Sequence, residues 1–169
     1  GQTIPPAAVE RSIAFAKKFA AVAVPVLVVV VTAAFFVTSL VLWGAARAFG
    51  AEAGFKQVLA LWSHANLANA VGAVVSLPII LSIPDASLTR DEAEFAVKSN
   101  VGAFLSNDVP VFVRTLAGSI DVFSLTALVL LVIGFRRLPG LSKASGTAVP
   151  VVLWAFVVLA KAALAAARA

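Results

Sequence analysis

The sequence predicts an all-α protein, a polytopic bundle of transmembrane helices. The 169-residue chain is 62% hydrophobic and only 12% charged, and its mean hydropathy is +1.04. This is more apolar surface than a soluble domain of that length can bury. The 13 basic residues are dispersed at the ends of long apolar runs, as charges that flank membrane spans are. The net charge of +5 therefore indicates a membrane protein rather than a nucleic-acid-binding protein.

Four apolar runs are predicted to cross the membrane. The predicted spans are 20–43, 57–83, 116–135 and 144–167, and one long polar connection covers 85–113. Because short connections join antiparallel neighbours, we expect a single transmembrane helical domain over 20–169. Segment 1–19 is predicted to be a loop followed either by an interfacial helix or by the water-exposed first turns of the first span.

The residue content argues against an enzyme. The chain has no cysteine and a single histidine, which excludes disulfides, thiol nucleophiles and zinc sites built on cysteine or several histidines. The glycine-containing segment 140–147 lacks the spacing of a phosphate-binding loop. We therefore expect no catalytic residues, no cofactor and no metal ion.

The polar connection contains five acids, but their spacing does not predict a metal site. Asp91 and Glu92 are adjacent, so they cannot share one face of a helix. Thr89 and Glu92 form a possible capping box, which predicts a short surface helix near 90–98. The acids are interpreted as its solvated face.

Polar residues interrupt the second predicted span at His64, Asn66 and Asn69. They can line a polar pocket, or they can form interhelical hydrogen bonds with hydroxyl groups of the first span. The second interpretation is favoured because such bonds are common between membrane helices.

Small residues repeat along the same span at Ala68, Gly72 and Ser76. Their spacing of four residues places them on one helix face. Small residues on one face allow two helices to approach closely in lipid. We therefore expect this face to pack against another helix.

Asp121 and Lys161 are ionisable residues inside the third and fourth predicted spans. Intramembrane charges are costly unless they are paired or face a polar interior. In an antiparallel pair of helices joined by a turn near residues 140 and 141, positions 121 and 161 lie at equal depth. The sequence predicts an interhelical ion pair between them, with a proton-titrating site as the functional alternative.

Several stretches resemble the Ypt-interacting protein family, the YIP domain, in its divergent bacterial form. They are GFKQVLALWSHA at 54–65, SNVGAFL at 99–105, LAGSIDVFSLTALVLLVIGF at 116–135 and VPVVLWAFVVLAK at 149–161. The resemblance covers nearly the whole chain after residue 20. Its most specific parts are Ser-Asn-x-Gly-Ala-Phe and Ile-Asp-x-Phe-Ser.

The resemblance implies a membrane protein without catalytic activity. Eukaryotic members act in vesicle trafficking and bind prenylated Rab-type GTPases, so it implies a scaffold that contacts membrane lipids and other membrane proteins. Members have five spans, whereas four are predicted here, and we expect the missing first span to lie upstream.

The family pattern also implies an orientation, with turns 47–56 and 136–143 in the cytoplasm. These turns hold five basic residues and one acid, Glu52, which agrees with the positive-inside rule. The opposite side holds eight basic residues, but short turns carry more weight in that rule. The expected location is a bacterial inner membrane.

Three hypotheses follow for the function. The first is a non-enzymatic scaffold or interaction partner of other membrane components. The second is a small transporter or channel whose pathway residues are His64, Asn66, Asn69, Asp121 and Lys161. The third is an accessory subunit of a larger membrane complex that packs on the Ala68, Gly72 and Ser76 face.

Overall fold

The computed structural model of the chain describes residues 6–82, 97–106 and 108–168, with side chains from Phe19 onward except those of residues 20 and 21. All regular structure in these ranges is helical, which confirms the predicted all-α class. The chain divides into two compact units, Gly1–Thr38 and Ser39–Ala169. The predicted surface helix near 90–98 falls mostly outside the described residues.

The first helix, α1, covers Pro6–Ala48 and contains both the predicted N-terminal helical segment and the first predicted span. Its 43 residues correspond to about 65 Å of helix, roughly twice the hydrocarbon thickness of a bilayer. In the Gly1–Thr38 unit most of its described apolar side chains are exposed, as expected of a surface that faces lipid. The hydroxyl of Thr38 donates to Ala34 O within the same helix.

The second unit contains the end of α1 and the remaining helices. These are α2 (Phe55–Leu81), a 3₁₀ helix (Val101–Phe104), α3 (Val111–Gly118), α4 (Val122–Phe135) and α5 (Lys143–Ala166). Within the described residues, three helical segments are long and apolar enough to cross a membrane: Val22–Ala48, Phe55–Leu81 and Lys143–Ala166. The fourth apolar helix, α4, is shorter and has 14 residues, or about 21 Å.

Helices α2 and α4 pack side by side in antiparallel directions. Gly72 near the end of α2 lies against Phe123 at the start of α4, and Gly134 at the end of α4 lies against Leu61 near the start of α2. Helix α5 returns along α4 after a short turn and also contacts α3. The second unit is therefore organised by three packed helix pairs, α2 with α4, α3 with α5 and α4 with α5.

The turns at 47–56 and 136–143 are joined directly. The backbone N–H of Glu52 donates to Pro139 O at 2.8 Å. Each turn has one glycine with a positive φ, 93° at Gly50 and 75° at Gly140, a conformation that costs glycine least. Trp43 at the end of α1 donates from Nε1 to Ala53 O at 3.1 Å and ties that helix to the first turn.

The hydrophobic core lies at the end of the bundle that carries these two turns. Phe135 and Val58 are fully buried at its centre. The buried side chains around them come from α1, α2, α4, α5 and both turns; they include Leu42, Ala46, Ala51, Ala53, Leu138, Leu141 and Val149. The turn end is thus the most tightly packed part of the second unit.

The third predicted span, 116–135, is divided in the structure. Helix α3 ends at Gly118, residues 119–121 are not helical, and α4 begins at Val122. The physical reason is local: Asp121 has an extended backbone and caps α4 from outside it, so it cannot continue α3. Asp121 is therefore a helix-capping residue rather than a residue inside a continuous helix.

Candidate functional site: a polar cleft at a helix break

The helix break is closed by pairing with a distant segment. Asn100 and Asp121 form an isolated antiparallel β-bridge. Val101 N donates to Ile120 O at 3.1 Å, and Val122 N donates to Ser99 O at 3.2 Å. Non-helical backbone in an apolar segment needs partners for its polar groups, and this bridge satisfies two N–H groups and two carbonyl groups.

Asn100 holds its side of the bridge in place. It is the N-cap of the 3₁₀ helix, and its Oδ1 accepts from Ala103 N at 2.8 Å. Its side chain is only 7% exposed, so this polar group is buried together with its partner. The Ser-Asn-x-Gly-Ala-Phe stretch is thus a capped turn whose backbone pairs with residues 120–122.

Asp121 caps α4 on the other side of the bridge. Its Oδ1 accepts from Phe123 N at 2.8 Å and from Ser124 N at 3.0 Å. The hydroxyl of Ser124 donates to Ser119 O at 3.1 Å and so satisfies a further carbonyl group of the break. The partial positive charge of the helix N-terminus and these N–H groups stabilise the half-buried carboxylate.

A polar cleft of about 280 Å³ opens beside this capped break. Its lining atoms are mainly polar, and its residues come from α2, the turn before the 3₁₀ helix, the end of α3, the break, the start of α4, and α5. They are Asn69, Gly72, Ser76, Ser99, Asn100, Gly118, Asp121, Phe123 and Lys161. Among these lining residues are one acidic side chain, Asp121, and one basic side chain, Lys161, together with amide and hydroxyl groups.

The structure brings Asp121 and Lys161 to the same cleft. Asp121 is half-buried at the start of α4, and Lys161 is exposed on α5. A direct ion pair between the two side chains stays a prediction.

The three polar residues that the sequence analysis singled out in α2 do not all line the cleft. His64 is exposed, and its Nδ1 lies 2.7 Å from Ala60 O in its own helix. Asn66 donates to Trp62 O at 3.0 Å, and its Oδ1 accepts from Asn69 Nδ2 at 3.2 Å. Only Asn69 lines the cleft, so the predicted set of five intramembrane residues is divided between two places.

The small-residue face of α2 is used within this chain. Gly72 is buried, and a Cβ atom there would lie 2.7 Å from Cγ of Phe123. Ser76 is half-buried, its hydroxyl donates to Gly72 O at 2.7 Å, and it lines the cleft. Ala68 is half-buried one turn earlier. The absence of a side chain at Gly72 therefore allows α2 to pack closely on α4.

The sequence pattern did not single out Ser99, Asn100 or Phe123 as site residues. Ser-Asn before a glycine is a turn signal, and Asn is a favoured N-cap, so this part of the site had a readable local signature. What one sequence could not show is that 99–101 pairs with 120–122. Among the described residues, no group of three or more His, Cys, Asp or Glu side chains is placed to hold a metal ion.

Comparison with known proteins supports one assignment. Neither the curated proteins nor the solved structures gave a match. The model of the Yip1 domain matches residues 2–164, which is nearly the whole chain and includes the bridged segments and every helix that lines the cleft. With its apolar helices of membrane-spanning length, the chain thus belongs to the Yip1 domain family of membrane proteins.

Proposed function

We propose that this protein is a non-enzymatic membrane scaffold that binds other membrane proteins through the joined turns at 47–56 and 136–143. The observation that carries this proposal is the hydrogen bond from Glu52 N to Pro139 O, which makes the two turns one surface. Five exposed basic side chains belong to it: Arg47, Lys56, Arg136, Arg137 and Lys143. Glu52 is its single acid.

The charge of this surface supports both an orientation and a type of partner. Short basic turns favour the cytoplasmic side of a membrane, and the proposed location is a bacterial inner membrane. A fixed basic surface attracts partners with an acidic face, and its charge steers their approach. Yip1 domain proteins interact with membrane proteins such as Rab GTPases, which supports a binding role for this chain.

Site-specific crosslinking tests the scaffold role. A photo-reactive residue at position 142, between the basic residues of the second turn, should capture a defined protein in native membranes. The double variant Arg136→Glu, Arg137→Glu should abolish that capture, whereas Lys98→Glu, an exposed lysine outside the turns, should leave it unchanged. A protein that stays monomeric and yields no adduct sensitive to the turn charges would contradict the proposal.

Transport is a second candidate function, and the polar cleft is the observation that favours it. A broken helix with ionisable side chains at membrane depth is typical of substrate sites in transporters. Three of the five predicted pathway residues line the cleft, namely Asn69, Asp121 and Lys161. Proton or ion flux in proteoliposomes that is lost in Asp121→Asn would support transport. A flux no higher than that of empty liposomes would rule out the transport hypothesis.

A further inference from the structure

The polar cleft has a chemistry suited to a ligand with two opposite charges. Lys161 on α5 and Asp121 at the start of α4 belong to one cavity, with Asn69 and Asn100 as amide groups in the same lining. A purely anionic ligand would approach the carboxylate of Asp121 unfavourably, and a purely cationic ligand would approach Lys161 unfavourably. A zwitterion can place each of its charges against the opposite one.

The cleft is placed near a membrane surface, away from the basic turns. Asp121 lies about 21 Å along α4 from Phe135, and Lys161 lies about 27 Å along α5 from Lys143. The hydrocarbon core is about 30 Å thick. With the basic turns at one interface, the cleft therefore lies close to the level where the head groups of the opposite leaflet begin.

An apolar groove of about 320 Å³ adjoins the polar cleft. The two cavities share Ser99, Asn100 and Asp121, so the β-bridge borders both of them. The groove is lined mainly by apolar atoms, including those of Phe104 and Leu125, whose side chains are 71% and 40% exposed. A polar cavity and an apolar cavity on either side of one bridge fit an amphipathic molecule.

From these observations we propose that the polar cleft binds the head group of a zwitterionic phospholipid with a primary ammonium group. The lipid phosphate lies at Lys161, the ammonium lies at Asp121, and an acyl chain occupies the apolar groove. A volume of about 280 Å³ is enough for several polar atoms, since one water occupies about 30 Å³ in the liquid. This site does not depend on the scaffold role, which rests on the opposite end of the bundle.

Native mass spectrometry of the full chain in detergent tests the proposal. The protein is titrated with phosphatidylethanolamine, phosphatidylcholine and phosphatidic acid that carry the same acyl chains. Phosphatidylcholine keeps both charges but has no N–H donor, and phosphatidic acid keeps the phosphate but has no ammonium. We expect phosphatidylethanolamine to bind at least several-fold more tightly than either of the others. Equal binding of the three lipids would overturn the proposal.

Two variants test which charge of the lipid each side chain binds. Asp121→Asn keeps a good helix cap but removes the negative charge, and should weaken phosphatidylethanolamine binding about tenfold without weakening that of phosphatidic acid. Lys161→Gln should weaken the binding of all three lipids. The matched control Asp108→Asn changes an exposed charge elsewhere and should bind as wild type does. Unchanged lipid preference in Asp121→Asn would overturn the assignment.

Two further arms separate the head group from the chain. Phe104→Ala should lower the affinity of all three lipids equally and keep their order, whereas Phe49→Ala, an equally apolar exposed change at the basic turns, should have no effect. Glycerophosphoethanolamine, which lacks acyl chains, should displace the lipid only at a large excess. Displacement at an equal concentration would overturn the assignment of the site to a lipid.

Discussion

Asp121 shows how one carboxylate is tolerated in an apolar segment. Its charge is met by two backbone N–H groups and by the N-terminus of α4 rather than being left in hydrocarbon. Each charge-assisted hydrogen bond of this kind contributes roughly 1.5–3 kcal/mol. The residue thus ends one helix segment and begins another while it lines a cleft.

The capping role predicts a difference between two substitutions. Asp121→Ala removes the side-chain acceptor, whereas Asp121→Asn keeps it, because Asn is about as good an N-cap as Asp. We expect the alanine variant to be about 1 kcal/mol less stable than the asparagine variant. Unfolding by a denaturing detergent in mixed micelles, followed by tryptophan fluorescence, measures the difference; equal stabilities would show that the cap contributes nothing.

The predicted ion pair is tested without disturbing the cap. Asp121→Asn and Lys161→Gln each remove one charge, and the double variant completes a thermodynamic cycle. If the two side chains pair across α4 and α5, the interaction energy should be at least about 0.5 kcal/mol. If the effects of the two substitutions on the free energy of unfolding are additive, Asp121 and Lys161 do not form an ion pair.

At the scale of the element, close packing of α2 on α4 depends on Gly72. A methyl group at this position would overlap the Cγ and Cδ2 atoms of Phe123, each 2.7 Å from the added carbon. Both atoms belong to the ring, so they can move aside only if Phe123 changes its χ1 rotamer or the helix shifts. We expect Gly72→Ala to destabilise the protein by about 1–3 kcal/mol.

The matched control for this prediction is Gly44→Ala in α1, where no atom lies within 4 Å of the added carbon. It should leave the free energy of unfolding unchanged or raise it slightly, since alanine favours a helix interior over glycine. Both variants are compared by detergent unfolding. A Gly72→Ala protein as stable as the Gly44→Ala protein would mean that α2 and α4 do not pack as closely as described.

The elements also show what one sequence can and cannot predict. Hydropathy and run length predicted the all-α class and the long apolar helices, because each signal is local to its own segment. The division of 116–135 was locally readable, since Gly118, Ser119 and Asp121 form a helix stop followed by a helix start. The bridge of 99–101 with 120–122 was not, because it joins segments that share no local pattern.

At the scale of the whole molecule, the proposed cytoplasmic location of the two basic turns rests on their charge and can be mapped directly. The chain has no cysteine, so single-cysteine variants can map it without background. Glu52→Cys and Ser142→Cys should react with a membrane-impermeant thiol reagent only from the cytoplasmic side. Ser106→Cys and Asp108→Cys, in the exposed connection before α3, should react only from the other side. The reverse pattern would invert the proposed orientation.

The hydrogen bond between the two turns also has a consequence for biosynthesis. Glu52 is synthesised long before Pro139, so its backbone N–H cannot donate to Pro139 O until the second turn has emerged from the ribosome. Val58 and Ala46 belong to the same buried core as Phe135 and Leu138, which are synthesised later. The packed end of the second unit is therefore complete only after α4 and α5 have been synthesised.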